Sequence, residues 1–360
     1  MEISALKPVE HVAKLLLALF AAVLLWRPWR RHRAQRLVER PKKILLVRID
    51  DRVGEALLTT PLFESLRARS FSPTVHVLVH SRVTRVLQGH PMVDQMIPLD
   101  RRALALGAWA PGIAALRREG YEVVVNCASW SEPSVTSALV ARLAGPRAAV
   151  VGPNVWPVRH LHDVNVSARK DTESEVKQRV HLLSALSEHR AVERLSFRQP
   201  QPGSEVRALL AQLAAAPFAV VNPGGRLGWR RVPPAVFSAA ARVLAEQKVK
   251  PLVTWGPNER ELAEEVVRHA PGAQLAPATD LDELAALFAA SRLVVCNNTG
   301  PMHLAVAVGA PTVALFWRMP PSRWGHFLPP HAMVDLTSAA DPASQVAGVV
   351  RKQLEAIVAV

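Results

Sequence analysis

The sequence predicts an α/β protein with two doubly wound parallel sheets, preceded by a hydrophobic helix. Three observations carry this. Apolar runs of about five residues alternate with longer amphipathic stretches, the alternation resumes after a Pro/Gln-rich interruption, and one unbroken apolar run near the start stands apart from it. Short, continuously apolar strands separated by helices are what a sheet covered on both faces requires. A chain of 360 residues has the length of about two ordinary domains, each able to bury its own core.

The first element is LLLALFAAVLLW, between Lys14 and Arg27. Twelve helical residues reach about 18 Å, short of the roughly 30 Å of a bilayer's hydrocarbon layer. The expectation is therefore an anchor that lies in the interface or re-enters it, ahead of a true span. Trp26 and Trp29 suit the headgroup level and the following RPWRRHRAQR suits an anionic leaflet. If the helix does span, its positive side keeps the remainder on the cytoplasmic face of the inner membrane. Residues 1–41 are read as anchor and basic arm, with 12–43 meeting the membrane surface. A secretory signal would need a basic start and a small-residue cleavage site, which this segment lacks.

From Lys42 the strand-like runs are ILLVRI (44–49), TVHVLV (74–79), QMIPL (95–99) and YEVVVNC (121–127). Helix-like stretches at 55–69, 81–89 and around 102–119 separate them. Residues 42–195 form the first expected domain. FRQPQPG then marks a linker over 196–217. A second domain over 218–336 follows, with strands FAVVN (218–222), KPLVTW (250–255), RLVVCN (292–297) and TVALF (312–316) and helices at 233–247, 258–269, 280–290 and from about 301. A helix over 337–360 closes the chain. Two such domains would face a central cleft at the C-terminal ends of their strands, where nucleotide phosphates commonly bind.

Composition narrows the function. The net charge is +14, but residues 1–43 carry ten basic and three acidic side chains, half of the excess. The other 317 residues hold 34 basic and 27 acidic groups, which disfavours a uniformly basic nucleic-acid-binding domain. Cys127 and Cys296, both within apolar runs, read as buried thiols rather than a disulfide or metal framework.

Three segments carry chemistry. In VRIDDRVGEALLTTP (47–61) a strand runs through Asp50, Asp51 and Arg52 to Gly54 and a helix opening near Glu55. Either Asp51 caps that helix and Glu55 complements its dipole, or one of the two carboxylates is a general base. Adjacent Asp50 and Asp51 point different ways and make a poor metal clamp. In VVNPGGRLGWRRVPP (220–234), Asn222 ends a strand, Gly224 and Gly225 let the backbone approach a ligand, and Arg226, Arg230 and Arg231 offer donors for phosphate oxygens. In LVVCNNTGPMHLAVAVGAPTVALF (293–316), a buried strand runs through Asn298 and Thr299 to a helix start at Gly300 and Pro301, a ready anion site, with His303 in the first turn as a structural or general-acid histidine.

The set LLVRIDDRVGEALLTTPLFESLR, NPGG…WRRVPP, WGPNE and NNTGPMHLAVAVGAPTVALF, in that order, resembles glycosyltransferase family 9, the lipopolysaccharide heptosyltransferases, over about residues 42–330. The resemblance implies a GT-B arrangement of two Rossmann-like domains. It also implies inverting, metal-independent transfer of a sugar from a nucleotide-diphosphate donor, ADP-heptose in the best-known members, to a lipid-linked saccharide such as the lipopolysaccharide core. No cofactor, metal or nucleic acid is implied. Carried over, Glu55 stands where the family has the aspartate that deprotonates the acceptor, and Asn298 where it has another aspartate. Arg230 stands for its usual lysine, with Val232 for tryptophan, and Gly256 and Glu259 lie in the loop that contacts the nucleoside. Changes at both acidic positions leave a second reading, a catalytically degenerate nucleotide-sugar-binding or scaffold protein of envelope assembly. An oxidoreductase is disfavoured, since no G-x-G-x-x-G follows strand 44–49.

Overall fold

The computed structural model describes residues 38–100, 110–169, 174–188 and 190–358. The chain divides into two compact units, Met1–Arg194 and Leu195–Val360. The apolar run at 15–26 lies outside the described residues. Among the described residues no helix is long and apolar enough to cross a membrane.

The first unit runs β1 (Lys43–Arg48), α1 (Val53–Leu57), α2 (Thr60–Arg67), β2 (Thr74–His80), α3 (Thr84–Leu87), β3 (Gln95–Leu99), α4 (Ala110–Arg118), β4 (Val123–Asn126), α5 (Val135–Ala144), β5 (Ala149–Pro153), β6 (Val164–Val166) and α6 (Glu175–His181). Its six strands are all parallel in the order β3-β2-β1-β4-β5-β6, with Val47 opposite Leu78 on one side and Asn126 on the other. β1 and β4 sit at the centre and are buried on both faces, which is why their apolar stretches, ILLV and VVV, do not alternate with polar residues. β3 is an edge and half exposed, and there the missing N–H of Pro98 is tolerated. Leu45, Val47, Leu78, Val124, Val140 and Val150 belong to one packed cluster.

The second unit runs α7 (Ser204–Leu213), β7 (Phe218–Asn222), α8 (Pro234–Glu246), β8 (Lys250–Val253), α9 (Arg260–Arg268), β9 (Gln274–Leu275), α10 (Leu281–Ala290), β10 (Val294–Asn297), α11 (Gly300–Ala307), β11 (Thr312–Phe316), β12 (Ala332–Asp335) and α12 (Pro342–Val358). Its sheet order is β12-β11-β10-β7-β8-β9, again parallel throughout. Helices α8 and α12 pack together over it, joining Val221, Phe237, Val253, Val295, Leu315 and Val350 in one core.

Three local expectations change. The single helix over 55–69 is two, because Pro61 has no N–H to continue the ladder; the Thr60 hydroxyl donates to Leu57 O instead, at 2.8 Å. The stretch 81–89 is a 3₁₀ turn, Ser81–Val83, leading into the short α3. Within 196–217 lies the ten-residue α7, which packs on α10, so this stretch carries structure of the second unit.

Candidate functional site

A doubly wound sheet opens a crevice where the loops of two adjacent strands depart to opposite faces, outside the strands' C-terminal ends. In the first unit those strands are β1 and β4. The crevice is a small open cavity of about 70 Å³, lined from the β1 side by Arg48, Asp50 and Arg52 and from the β4 side by Glu132, Ser134 and Ser137. Ser134 caps α5, its hydroxyl accepting from the Ser137 N–H at 3.2 Å.

Glu55, the expected base, is on α1 with its side chain 7% exposed. Its Oε2 accepts from both Arg48 and Arg179. Arg179, on α6, is fully buried; its Nη1 donates to Glu55 O at 2.9 Å and its Nε to Glu175 Oε1 at 3.1 Å. Arg48 also donates to Cys127 O at 2.6 Å, tying β1 to the end of β4. Arg52 lies 3.7 Å from Glu55 Oε1. Burial pushes the Glu55 carboxyl up, but the Arg179 and Arg48 charges outweigh it and hold the group down to about 2. Glu55 is thus a carboxylate locked between guanidinium groups.

Asp51, the other candidate, is exposed and lies 3.6 Å from the guanidinium of Arg82. Of the carboxylates that follow β1, Asp50 is the one that lines the crevice. Its Oδ1 accepts from Arg52 N and Nε at 2.9 Å, and its Oδ2 from Arg52 Nη2 at 2.7 Å. Burial raises the Asp50 carboxyl, and the Arg52 hydrogen bonds and the Arg48 charge more than offset that, leaving it below its ordinary value. Sequence reasoning did not assign roles to Arg48, Glu175 or Arg179. A cation within the otherwise apolar run ILLVRI was the available signal for Arg48, and the i, i+4 spacing of Glu175 and Arg179 for the other two.

In the second unit the corresponding strands are β7 and β10, and most of the expected residues collect at their C-terminal ends. Asn222 ends β7 and donates to Thr254 Oγ1 at 3.0 Å. Asn297 Nδ2 donates to Pro223 O and Gly224 O at 2.7 and 3.1 Å, while its Oδ1 accepts from Val232 N at 3.0 Å, so one buried amide fixes both sides of the glycine loop. Gly224 and Gly225 are needed for close approach, but the groups that approach are the chain's own. A Cβ on Gly224 would stand 2.0 Å from Glu259 Oε2, and one on Gly225 would stand 2.7 Å from the Thr299 methyl. Glu259 accepts from Gly225 N at 2.8 Å, Gly256 N at 3.2 Å and Arg231 Nη2 at 3.1 Å.

Arg226 is exposed, and Arg230 stacks on the exposed Trp229 with its guanidinium carbon 4.6 Å from the ring centroid. Thr299 stands at the N-cap of α11, whose first residues are Gly300 and Pro301. The Thr299 hydroxyl bonds Asn297 O at 3.4 Å rather than an α11 N–H. Asn298 Nδ2 reaches Met319 Sδ at 3.5 Å. His303 is buried, its Nδ1 2.8 Å from Nε2 of buried His326, a ring that burial holds well below its ordinary pKa.

A family model described as "Glycosyltransferase family 9 (heptosyltransferase)" matches residues 112–347. Lipopolysaccharide heptosyltransferase 3 of Escherichia coli is 25% identical over 283 residues, 73% of this chain and 80% of that protein. Lipopolysaccharide heptosyltransferase 2 of Escherichia coli K12 is 25% identical over 302 residues, 77% of this chain and 82% of that one. Among solved structures, the glycosyl transferase family 9 protein from Veillonella parvula superposes with a TM-score of 0.73 at 18% identity, covering 89% of this chain and 98% of that one. The Escherichia coli ADP-heptose lipopolysaccharide heptosyltransferase II gives 0.66 at 20% identity, covering 88% and 98%. Both structures share the fold.

Proposed function

From the premise that the chain belongs to glycosyltransferase family 9, we propose that it moves a heptose from ADP-heptose to a lipid-linked saccharide of the lipopolysaccharide core, with inversion and without a metal ion. The acceptor hydroxyl oxygen attacks the anomeric carbon and gives its proton to a carboxylate beyond β1, while the bond to the nucleoside diphosphate breaks and its electrons leave with the diphosphate. In the second unit the Gly224–Gly225 loop, Arg226, Arg230 and the start of α11 meet the growing negative charge. Residues 12–43 hold the enzyme on an anionic bilayer from the cytoplasmic face of the inner membrane, where such acceptors are assembled.

The meeting of the β7 glycine loop, Arg231 and Thr299 at the α11 start, at one switch point, is the observation that supports this most. The test is a thermal-shift and calorimetric screen of ADP-, GDP-, UDP- and dTDP-sugars, followed by transfer to lipopolysaccharide with truncated cores. ADP-heptose at a hundred times its Kd is expected to add about 2.7 kcal/mol of stability. No stabilisation by any nucleotide sugar removes the reading. The locked Glu55 favours a second one, binding without catalysis; donor binding with no transfer to any acceptor is its signature.

A further inference from the structure

The transfer proposed above needs a carboxylate that an incoming hydroxyl can reach, and of the three that follow β1, Asp50, Asp51 and Glu55, Asp50 alone lines the crevice; Glu132 lines it from the β4 side. We propose that Asp50, not Glu55, is the group that deprotonates the acceptor, and that Glu55 serves as the buried counter-ion of Arg48 and Arg179. Glu55 does not line the crevice, and its Oε2 already receives two guanidinium groups. One of these, Arg179, has no exposed surface and is bonded as well to Glu55 O and Glu175, so a substrate hydroxyl cannot take its place without opening the core.

Asp50 differs on each point. Its side chain is 24% exposed and it lines the crevice beside Ser134. Its close partner, Arg52, comes from the adjacent turn, is 34% exposed, and also holds Glu132 with Nη2 at 2.8 Å. Arg52 can therefore keep Glu132 as its counter-ion while a sugar hydroxyl takes its place on an Asp50 oxygen. In the step itself the acceptor O–H bond breaks, its proton passes to an Asp50 Oδ, the oxygen forms the new bond to the anomeric carbon, and the bond from that carbon to the diphosphate oxygen is lost. No further reagent is consumed. The ion pairs with Arg52 and Arg48 keep Asp50 ionised, so it enters the step able to accept a proton.

The test compares full-length D50N, D50E and E55Q with the parent. Melting temperature, ADP-heptose affinity by calorimetry, and heptose transfer to lipopolysaccharide with truncated cores are measured for each. D50N is expected to fold, to bind the donor within about threefold of the parent, and to lose about a hundredfold or more in kcat, the scale of general-base catalysis. D50E, which keeps the carboxylate, is expected to recover part of that loss. E55Q leaves two arginines short of charge and should melt earlier, while its folded fraction turns over about tenfold or more faster than D50N. A D50N enzyme within about tenfold of the parent, or a folded E55Q no faster than D50N, overturns the assignment while leaving the glycosyltransferase reading intact. A parent that binds ADP-heptose and transfers to no acceptor overturns the transfer reading, and the Asp50 assignment falls with it.

Discussion

Arg179 lies wholly inside the first unit and serves two carboxylates and a carbonyl oxygen at once. Removing one partner of a buried ion pair leaves uncompensated charge, so R179M is expected to cost about 3–5 kcal/mol in urea unfolding. The same network sets an acid limit. Because the Glu55 carboxyl is lower in the folded chain than its ordinary 4.5, its ion pairs contribute fully above about that pH, and the contribution is lost as pH falls from 4.5 toward 2. Burial lowers His90, His162 and His331 from 6.5 to about 4, so the unfolded chain takes up protons that these rings refuse, and stability declines over that higher window. Urea midpoints measured from pH 7 downward should therefore fall in two stages, and R179M should flatten the lower stage alone. A single stage in the parent would contradict the assignment. None of this could be read near Glu55 itself, since the Arg179 that locks it is 124 residues away in sequence. Locally, a carboxylate in a first helical turn looks like a dipole partner.

At the scale of elements, loops are held by short-range struts that local chemistry only partly announces. Asp280 and Glu283 form a capping box at the start of α10, and D280A is expected to cost about 1 kcal/mol in chemical denaturation. Gly224 shows the opposite situation, where the constraint comes from another loop. G224A drives a methyl group into the Glu259 carboxylate and should destabilise the protein by about 1–3 kcal/mol, with E259A relieving part of it in the double variant. Additive losses in that cycle would show that the two loops are not coupled. The central strands were legible as strands because burial on both faces demands continuous apolar runs, and β3, β7 and β11 keep the expected limits to the residue. The helices near the first turn were legible only as an amphipathic stretch; Pro61 decided the break, since periodicity reports a face while a missing N–H ends a ladder. Helix α5 and strands β5 and β6, in less regularly patterned sequence, were not assigned.

Over the whole molecule, half of the net positive excess sits in the first 43 residues, and several basic side chains of the two units are paired with named carboxylates such as Glu55, Asp50 and Glu259. If the arm addresses an anionic bilayer, the full chain should co-sediment with vesicles containing phosphatidylglycerol. Substituting Arg30, Arg31 and Arg33 with Gln should then weaken partitioning by about 3 kcal/mol, roughly a hundredfold, with binding falling as salt rises. Equal sedimentation of parent and variant would separate the arm from the membrane. The sequence by itself determined the class of fold, the repetition of one α/β pattern in two units, and the order of the motif-bearing turns, because apolar period and strand-ending polar residues are local properties of the chain. Only the tertiary structure decided which carboxylate is locked and which lines a crevice, and which group fills the space beside Gly224. The state of a desolvated charge is set by what folding brings within a few ångströms of it, and for Glu55 and Gly224 one deciding group each, Arg179 and Glu259, comes from distant sequence.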